Sequence, residues 1–455
     1  MPSPTLTFLG AVGTVTGSRF LVEGDQGRIL VDAGLFQGIA ELRRRNWVPL
    51  PLDPATLDAV VLTHAHLDHC GYLPRLVRDG FTGSIRCTES TAELASIVLE
   101  DSAYLQAEDA RYANDTGYSS HRPALPLYDA GDVEKTVALF RPTDLLTRVV
   151  VAPGVAITLR PAGHILGSST AEVDVDGSRV LFSGDLGRPH HPLLPPPADP
   201  PAVGSVVVES TYGDREHPPP DDDLLASAVE RTAARGGTVL IPAFAVDRTE
   251  LVLLELHRLM SAGRIPHLTV YVDSPMALAS LEVYRKALAA KGLKHREASL
   301  FDLPEVQTVR DAAGSERLNR PNVPCIVVSA SGMATGGRVV HHLRHQLPDP
   351  RNTVVLTGYQ AAGTRGRQLV DGARQVKMHG RYVPVHADIV QIPDFSVHAD
   401  GREAVRWLGR MPSAPRTAYV VHGEPASSAA LADRIRHELG WNAVVPSFGE
   451  RVRLD

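Results

Sequence analysis

The chain has 455 residues, a formal net charge of −6, and ordinary shares of hydrophobic (43%) and charged (22%) residues. That length holds two domains and a sizeable core, no apolar run approaches the ~20 residues of a membrane span, and the acidic balance excludes a general attraction to nucleic acid. Cys70, Cys87 and Cys325 are scattered and odd in number, which favours free thiols in a reducing cytoplasm over a disulfide framework. Met1 to Arg19 lacks the basic lead of a signal peptide.

In chain order, Thr5 to Leu9, Ser18 to Glu23 and Gly27 to Asp32 read as strands, the last closing on Asp32. The apolar run Ala59 to Leu62 reads as a buried strand that ends in Thr63-His64-Ala65-His66-Leu67-Asp68-His69. His64 and His66 are two apart, so extended backbone points them the same way. Asp68 and His69 fall where the chain turns into a helix from Leu73 to Asp79 and can reach a neighbouring point. A helix is expected from Thr91 to about Ala113. Val155 to Leu159 is a strand running into His164, and Ser169 to Val175 with Arg179 to Phe182 forms a hairpin across Asp176-Gly177 that ends in Asp185. Ser205 to Glu209 is a further strand closing on an acid.

Beyond Tyr212 the texture becomes repeated βα units: helices at Asp222 to Arg235, Val246 to Met260, Met276 to Ala290 and Arg338 to His345, with strands at Thr238 to Ile241, Leu268 to Val272, Cys325 to Ser329 and Asn352 to Leu356. Such alternation predicts a mainly parallel sheet in a separate α/β domain. The Gly/Ser/Thr-rich stretch Ser331-Gly332-Met333-Ala334-Thr335-Gly336-Gly337-Arg338 joins a strand to a helix and can offer N–H groups to a phosphate. From Thr335 to Arg381 there are eight Lys or Arg, Arg365 and Arg367 among them, against two acids. The strand Ile389 to Ile392 precedes His398, and the strand Thr417 to Val421 is closed by His422. The other histidines, including His295, His341, His342, His345 and His379, have no ligand spacing and are read as structural.

The strand-end ligands sort into two sets. His64, His66 and His164 would hold one metal, Asp68, His69 and His422 a second, and Asp185 could bridge them. Imidazole and carboxylate donors suit zinc and also admit manganese or iron. A water shared by two such ions becomes a hydroxide nucleophile near neutral pH. His398 is the candidate proton donor, with Glu209 fixing its tautomer.

HAHLDH with His164, Asp185 and His422 downstream resembles the metallo-β-lactamase fold. Glu209 at a strand end, the inserted α/β region, Ser396 to Asp400 and Val421 to Gly423 resemble its β-CASP branch of RNA-processing nucleases, similar to the cleavage and polyadenylation nuclease subunit and its bacterial relatives. The resemblance implies an αβ/βα sandwich at residues 1–211 and 386–455, interrupted by a β-CASP domain at 212–385. It also implies a catalytic set of Asp68, Asp185, Glu209 and His398, with Asp32 orienting a ligating imidazole. A two-zinc endoribonuclease is expected, with hydroxide attacking the phosphodiester of single-stranded RNA and His398 as general acid. Residues Ser331 to Arg338, with Arg365 and Arg367, are expected to meet phosphates. No RNA-binding extension precedes the first domain, no long domain follows the last, and a homodimer is allowed. The rival readings are a two-metal hydrolase of a small ester, thioester or lactone, and a catalytically silent scaffold.

Overall fold

Alternating hydrophobic strands and glycine turns build two seven-stranded sheets in the computed structural model, which describes residues 3–117, 119, 121–219, 221–290, 293–294 and 303–454. His295 lies outside them. The chain divides into one unit of Met1–Glu216 with Val397–Asp455 and another of His217–Ser396.

In the first unit, one sheet runs in the order 451–453, 5–8, 20–23, 28–31, 59–61, 84–87, 140–142 and the other in the order 443–444, 417–421, 205–209, 178–182, 169–175, 155–161, 148–152. Strand side chains alternate between faces, and both sheets turn one alternate set toward a shared core. Leu6, Phe8, Val22, Ile29 and Val61 of the first sheet lie in one apolar cluster with Ile157, Val173, Phe182, Val207 and Val421 of the second. The opposite face of the second sheet (Leu181, Val206, Val208, Val420) packs on Val405, Trp407 and Leu408 of the helix Gly401–Leu408 and on Leu431 and Ile435 of the helix Pro425–Leu439. Leu30, Val60 and Ile85 on the far face of the first sheet are equally buried. Two sheets face to face with helices outside is the αβ/βα sandwich.

The predicted hairpin is present, Ser178–Phe182 pairing with Ser169–Val175 and Asp176 and Gly177 turning at φ 49° and 85°. The predicted helix from Thr91 is longer, Glu89–Thr116, capped by Thr88 and ended by Gly117 at φ 66°. Among the described residues no helix is long and apolar enough to cross a membrane.

The second unit has a six-stranded, all-parallel sheet ordered 306–308, 270–272, 325–329, 238–242, 353–357, 388–392. One domain boundary differs from expectation. The strand Asp388–Ile392 pairs with Thr353–Thr357 of this sheet, so the first unit resumes at Val397 rather than at residue 386.

Candidate metal centre

The chemistry-bearing residues sit at one end of the two sheets. Strand Ala59–Val61 ends just before Thr63, His64 and His66, and a short helix, Leu67–Cys70, turns Asp68 and His69 back toward them. In the second sheet, His164 follows Val155–Pro161, Asp185 follows Ser178–Phe182, Glu209 closes Ser205–Glu209, and His422 follows Thr417–Val421. The last three strands are mutually parallel, with Glu209 level with Val421. The hairpin order makes Val155–Pro161 run the same way as well. Parallel running therefore delivers four side chains to one edge. Close backbone approach is part of the construction, since a Cβ on Gly34 would fall on the Asp68 carbonyl.

Three of the imidazoles have protons fixed on the nitrogen that faces away from the centre. His69 Nδ1 is 2.7 Å from Asp32 Oδ2, so it donates there and its Nε2 turns a lone pair inward. Asp32 also accepts from the Thr63 amide (2.8 Å) and the Thr63 hydroxyl (3.0 Å). Having donated to Asp32, the Thr63 oxygen accepts from His64 Nδ1 at 3.1 Å, which leaves His64 Nε2 unprotonated. His164 Nδ1 points at the Val397 carbonyl at 3.4 Å. Orienting partners of this kind set the tautomer of metal-binding histidines.

The inward atoms then converge. His66 Nδ1 is 3.2 Å from both His64 Nε2 and His164 Nε2, and Asp185 Oδ2 is 3.4 and 3.5 Å from the latter two. In the neighbouring group, His69 Nε2 lies 3.2 Å from His422 Nε2 and 3.1 Å from Asp185 Oδ1, and Asp68 Oδ2 lies 3.6 Å from His422 Nε2. Four donors at ~2.0–2.1 Å around a tetrahedral ion are separated by about 3.3–3.4 Å. Both groups fit that spacing, and the two oxygens of Asp185 serve one group each.

The electrostatics agree. Burial, and after it the neighbouring His69, pushes His64 down to about 3. Burial also pushes His66 down to about 4 and, together with His398, holds His164 well below the ordinary range. These three are neutral donors at pH 7. Burial would raise the two carboxyls, but the hydrogen bond to His422 and the charge of His69 hold Asp68 low, and the neighbouring His422 and His69 hold Asp185 low. His69 is pushed well above its usual value because Asp185 and Asp32 outweigh its burial. The two carboxylates make that half-site favour positive charge, which a divalent cation would supply in a proton's place. Cys70 is buried with its thiol on the Ala65 carbonyl at 3.3 Å, away from the donor sets.

His398 stands beside this centre. Residues 397–400 form a strap whose His398 bridges Gly187 and whose Ala399 amide donates to Leu186 O at 2.7 Å. Glu209 Oε1 accepts from His398 Nδ1 at 3.0 Å and from the Leu186 amide at 2.7 Å, and its Oε2 accepts from the Thr211 amide at 3.2 Å. Burial would lower His398, yet the Glu209 carboxylate raises it above the ordinary imidazole range. Sequence reasoning missed Thr63 and Thr211, whose hydroxyls lie on His64 Nδ1 and, at 3.3 Å, on His422 Nδ1. Their one signal is that each lies within two residues of a strand-end ligand or acid.

The glycine-rich stretch belongs to the second unit. Ser331 Oγ accepts from the Thr335 amide at 3.0 Å, Gly332 O from Gln360, and the Gly366 amide donates to Met333 O. Gly337, at φ 74°, leads directly into the helix Arg338–Gln346. The three arginines expected to meet phosphates make intramolecular contacts, Arg367 in an exposed ion pair on its own helix. Arg338 donates to Asp273 (2.6 Å) and to the Val309 and Arg310 carbonyls. Arg365 donates to the carbonyls of Ala334, Thr335 and Lys377, and Arg367 to Asp371. The sequence cannot register this, because each partner except Asp371 is distant along the chain.

Comparison with known proteins follows the same division. Residues 12–231 match the family model of the metallo-beta-lactamase superfamily, 249–369 that of the Beta-Casp domain, and 382–446 that of a Zn-dependent metallo-hydrolase RNA specificity domain. A Thermus thermophilus protein named as a ribonuclease is 35% identical over 450 residues, covering 97% of this chain and 98% of that one. An RNase J-like protein of Methanocaldococcus jannaschii is 30% identical over 449 residues, covering 98% of each. The same archaeon's transcription termination factor FttA is 29% identical over 467 residues, covering 99% of this chain and 71% of that one. A crystal structure of an Enterococcus faecalis protein of unknown function covers 99% of this chain and 100% of its own, with a TM-score of 0.55 at 12% identity, a likeness of fold alone.

Proposed function

The chain belongs to the β-CASP branch of the metallo-β-lactamase superfamily, and on that premise we propose that it is a metal-dependent hydrolase of RNA. Its substrate is single-stranded RNA, cut internally, and its cofactors are two zinc ions held by His64, His66, His164 and Asp185 and by Asp68, His69, His422 and Asp185. The observation that carries the reading is the convergence of these donor atoms, with lone pairs turned inward, beside the His398–Glu209 pair. The ribonuclease names of two relatives that match along nearly their whole length support RNA as the polymer. Three buried free thiols support a cytoplasmic location.

When bound, such ions acidify water and neutralise charge that builds on a phosphoryl group. The protein's own groups do the rest. Asp68, ionised and with its side chain 21% exposed, would hold one ion with His69 and His422 and orient the attacking water beside it. Asp32 and Thr63 hold the His69 and His64 rings so that no reorientation is needed during turnover. His398, its ring oriented by Glu209 and its cationic form favoured by that carboxylate, donates its Nε2 proton to the departing 3′-oxygen. The products are a 5′-phosphate and a 3′-hydroxyl.

The test is incubation of purified protein with 5′-labelled single-stranded RNA, beside a chelator-treated sample and His398→Ala. Internal fragments ending in 3′-hydroxyl are expected, with the rate falling about 10²–10⁴-fold in the variant. An aryl phosphodiester, whose leaving group needs no proton, should lose far less. Mononucleotides alone would overturn internal cutting. No cleavage with two zinc ions bound would overturn the RNA reading and favour a small ester substrate.

A further inference from the structure

The strands Gln375–Met378 and Arg381–Pro384 form an antiparallel hairpin separate from the six-stranded sheet. Val376, Met378 and Val383 turn inward and pack with Val339, Val340 and Leu343 of the helix Arg338–Gln346. Register sets Lys377 opposite Tyr382 and Gln375 opposite Pro384, and directly opposed residues share a face. The outward face is therefore Gln375, Lys377, Tyr382 and Pro384, all exposed. Tyr382 is 65% exposed, with Lys377 Nζ 6.0 Å from its ring centre. A ring left in water there adds little apolar burial to the fold.

The turn is equally unusual. His379 and Gly380 have φ of 45° and 77°, a geometry that favours Asn, Asp or Gly at its first position. His379 occupies that position, its ring 4.8 Å from that of His341 at 33°. Burial, and after it His341, Arg344 and Arg365, holds His379 below the usual imidazole range, as an uncompensated positive surface does. The stretch 372–387 contains Arg374, Lys377 and Arg381 and no acid, and 336–348 contains Arg338 and Arg344 and no acid. Among the described residues no ion pair joins Arg374, Lys377 or Arg381 to a carboxylate.

We propose that this hairpin is a binding platform for single-stranded RNA, in which a base stacks on Tyr382 while Lys377, on the same face, takes a flanking phosphate. An aromatic ring among cations matches a polymer that alternates π-faces with negative charge. The choice of RNA over other polyanions rests on the hydrolase reading; the surface itself belongs wholly to the second unit.

The experiment measures anisotropy of a labelled single-stranded oligouridine on full-length His398→Ala protein, with Tyr382→Ala, Tyr382→Phe or Lys377→Glu added. Tyr382→Ala is expected to weaken binding about 5- to 100-fold, and Tyr382→Phe to restore it. Lys377→Glu should flatten the dependence of log affinity on log salt by about 0.7. Unchanged binding in Tyr382→Ala overturns the platform. Equally tight, Tyr382-independent binding of inorganic polyphosphate also overturns it, leaving a surface that reads charge alone, and displacement of RNA by an acidic peptide at equal strength would reassign the surface to a protein partner. Tyr382-dependent binding without any cleavage by the wild type would keep this proposal and sink the hydrolase reading. Cleavage of a long strand at wild-type rate and affinity by Tyr382→Ala alone would do the reverse.

Discussion

Two buried clusters in this molecule use the same residue types and end up chemically opposite. In the first unit, histidine nitrogens point at one another across 3.2 Å and at the carboxylate of Asp185. In the second unit, Asp273 is also fully buried beside a fully buried His342, yet every contact there joins a donor to an acceptor. Asp273 Oδ2 accepts from Ser315 (2.5 Å) and His342 Nε2 (2.6 Å), its Oδ1 accepts from Arg338 (2.6 Å), and His342 Nδ1 faces Asn319 Oδ1 at 3.0 Å. The second cluster closes on itself, with a guanidinium, an imidazole and a hydroxyl donating to one acid. The first is completed by a cation from outside. Residue type and burial do not identify a metal site; the direction of the lone pairs does.

Removing the bridging ligand should break the contrast hardest. Asp185→Ala is expected to bind fewer than two metal ions per chain by mass spectrometry, and to lose RNA cleavage by at least about 10³-fold, since the ions supply several kcal/mol of charge stabilisation. A chelator should reproduce that loss in the wild type. The counterpart, Asp273→Ala, leaves the buried His342 and the half-buried Arg338 without their acid and should cost about 3–5 kcal/mol locally. Hydrogen exchange in Cys325–Ser329 and Arg338–Gln346 should accelerate while metal content per folded chain holds at the wild-type value. Parallel loss of metal in this variant would dissolve the distinction between the clusters.

A milder test sharpens the first cluster. Asp32→Asn keeps the shape but weakens the acceptor for His69 and Thr63, and metal affinity should fall about 10- to 100-fold, read by competition with a chromogenic chelator. The smallest effects are pH-dependent and confined to the second unit. Burial would raise Asp273, but His342, Ser315 and Arg338 hold it below its ordinary value. The folded state then binds fewer protons, so its contribution is complete above about pH 4 and fades as pH falls. Glu250 runs the other way. Burial and the neighbouring Asp247 raise it well above the carboxylate range, with Ser280 donating to Oε1 at 2.9 Å. Its cost is absent below about pH 4 and grows as pH rises, so Glu250→Gln should gain stability over the wild type at neutral pH and lose that gain in acid. Exchange rates in the helix Arg248–Ser261 across pH would detect either sign.

Much of this was legible in the residues. An apolar strand followed by HAHLDH places four donors within six positions, and parallel strands ending in His164, Asp185, Glu209 and His422 each stop where an apolar run meets a polar residue. The βα rhythm of the second unit likewise announced a parallel sheet, because each crossover helix has its own amphipathic period. What escaped was non-local or atomic. Nothing local tells that Asp388–Ile392 pairs with Thr353–Thr357, or in what order six strands lie. Which nitrogen of His69 faces inward is set by Asp32, 37 residues away along the chain. The hairpin at 375–384 was passed over because its turn is His-Gly rather than Asn-Gly. The helix Ala130–Val137 was also missed, although Asp129 and Asp132 form a reciprocal cap there that could have been read as a start signal.

The placement of His422 has a consequence for how the protein is made. Six of the seven donors are in the chain by residue 185, but the seventh follows a strand, Thr417–Val421, that can pair with Ser205–Glu209 only after the whole second unit has been synthesised. His398 also arrives after that unit. Domains fold as they emerge, so for nearly half of its synthesis the growing polypeptide holds one finished half-site, an unfinished second and no proton donor. An enzyme that cuts RNA is thereby kept inert through most of the time it is tethered to the message that encodes it.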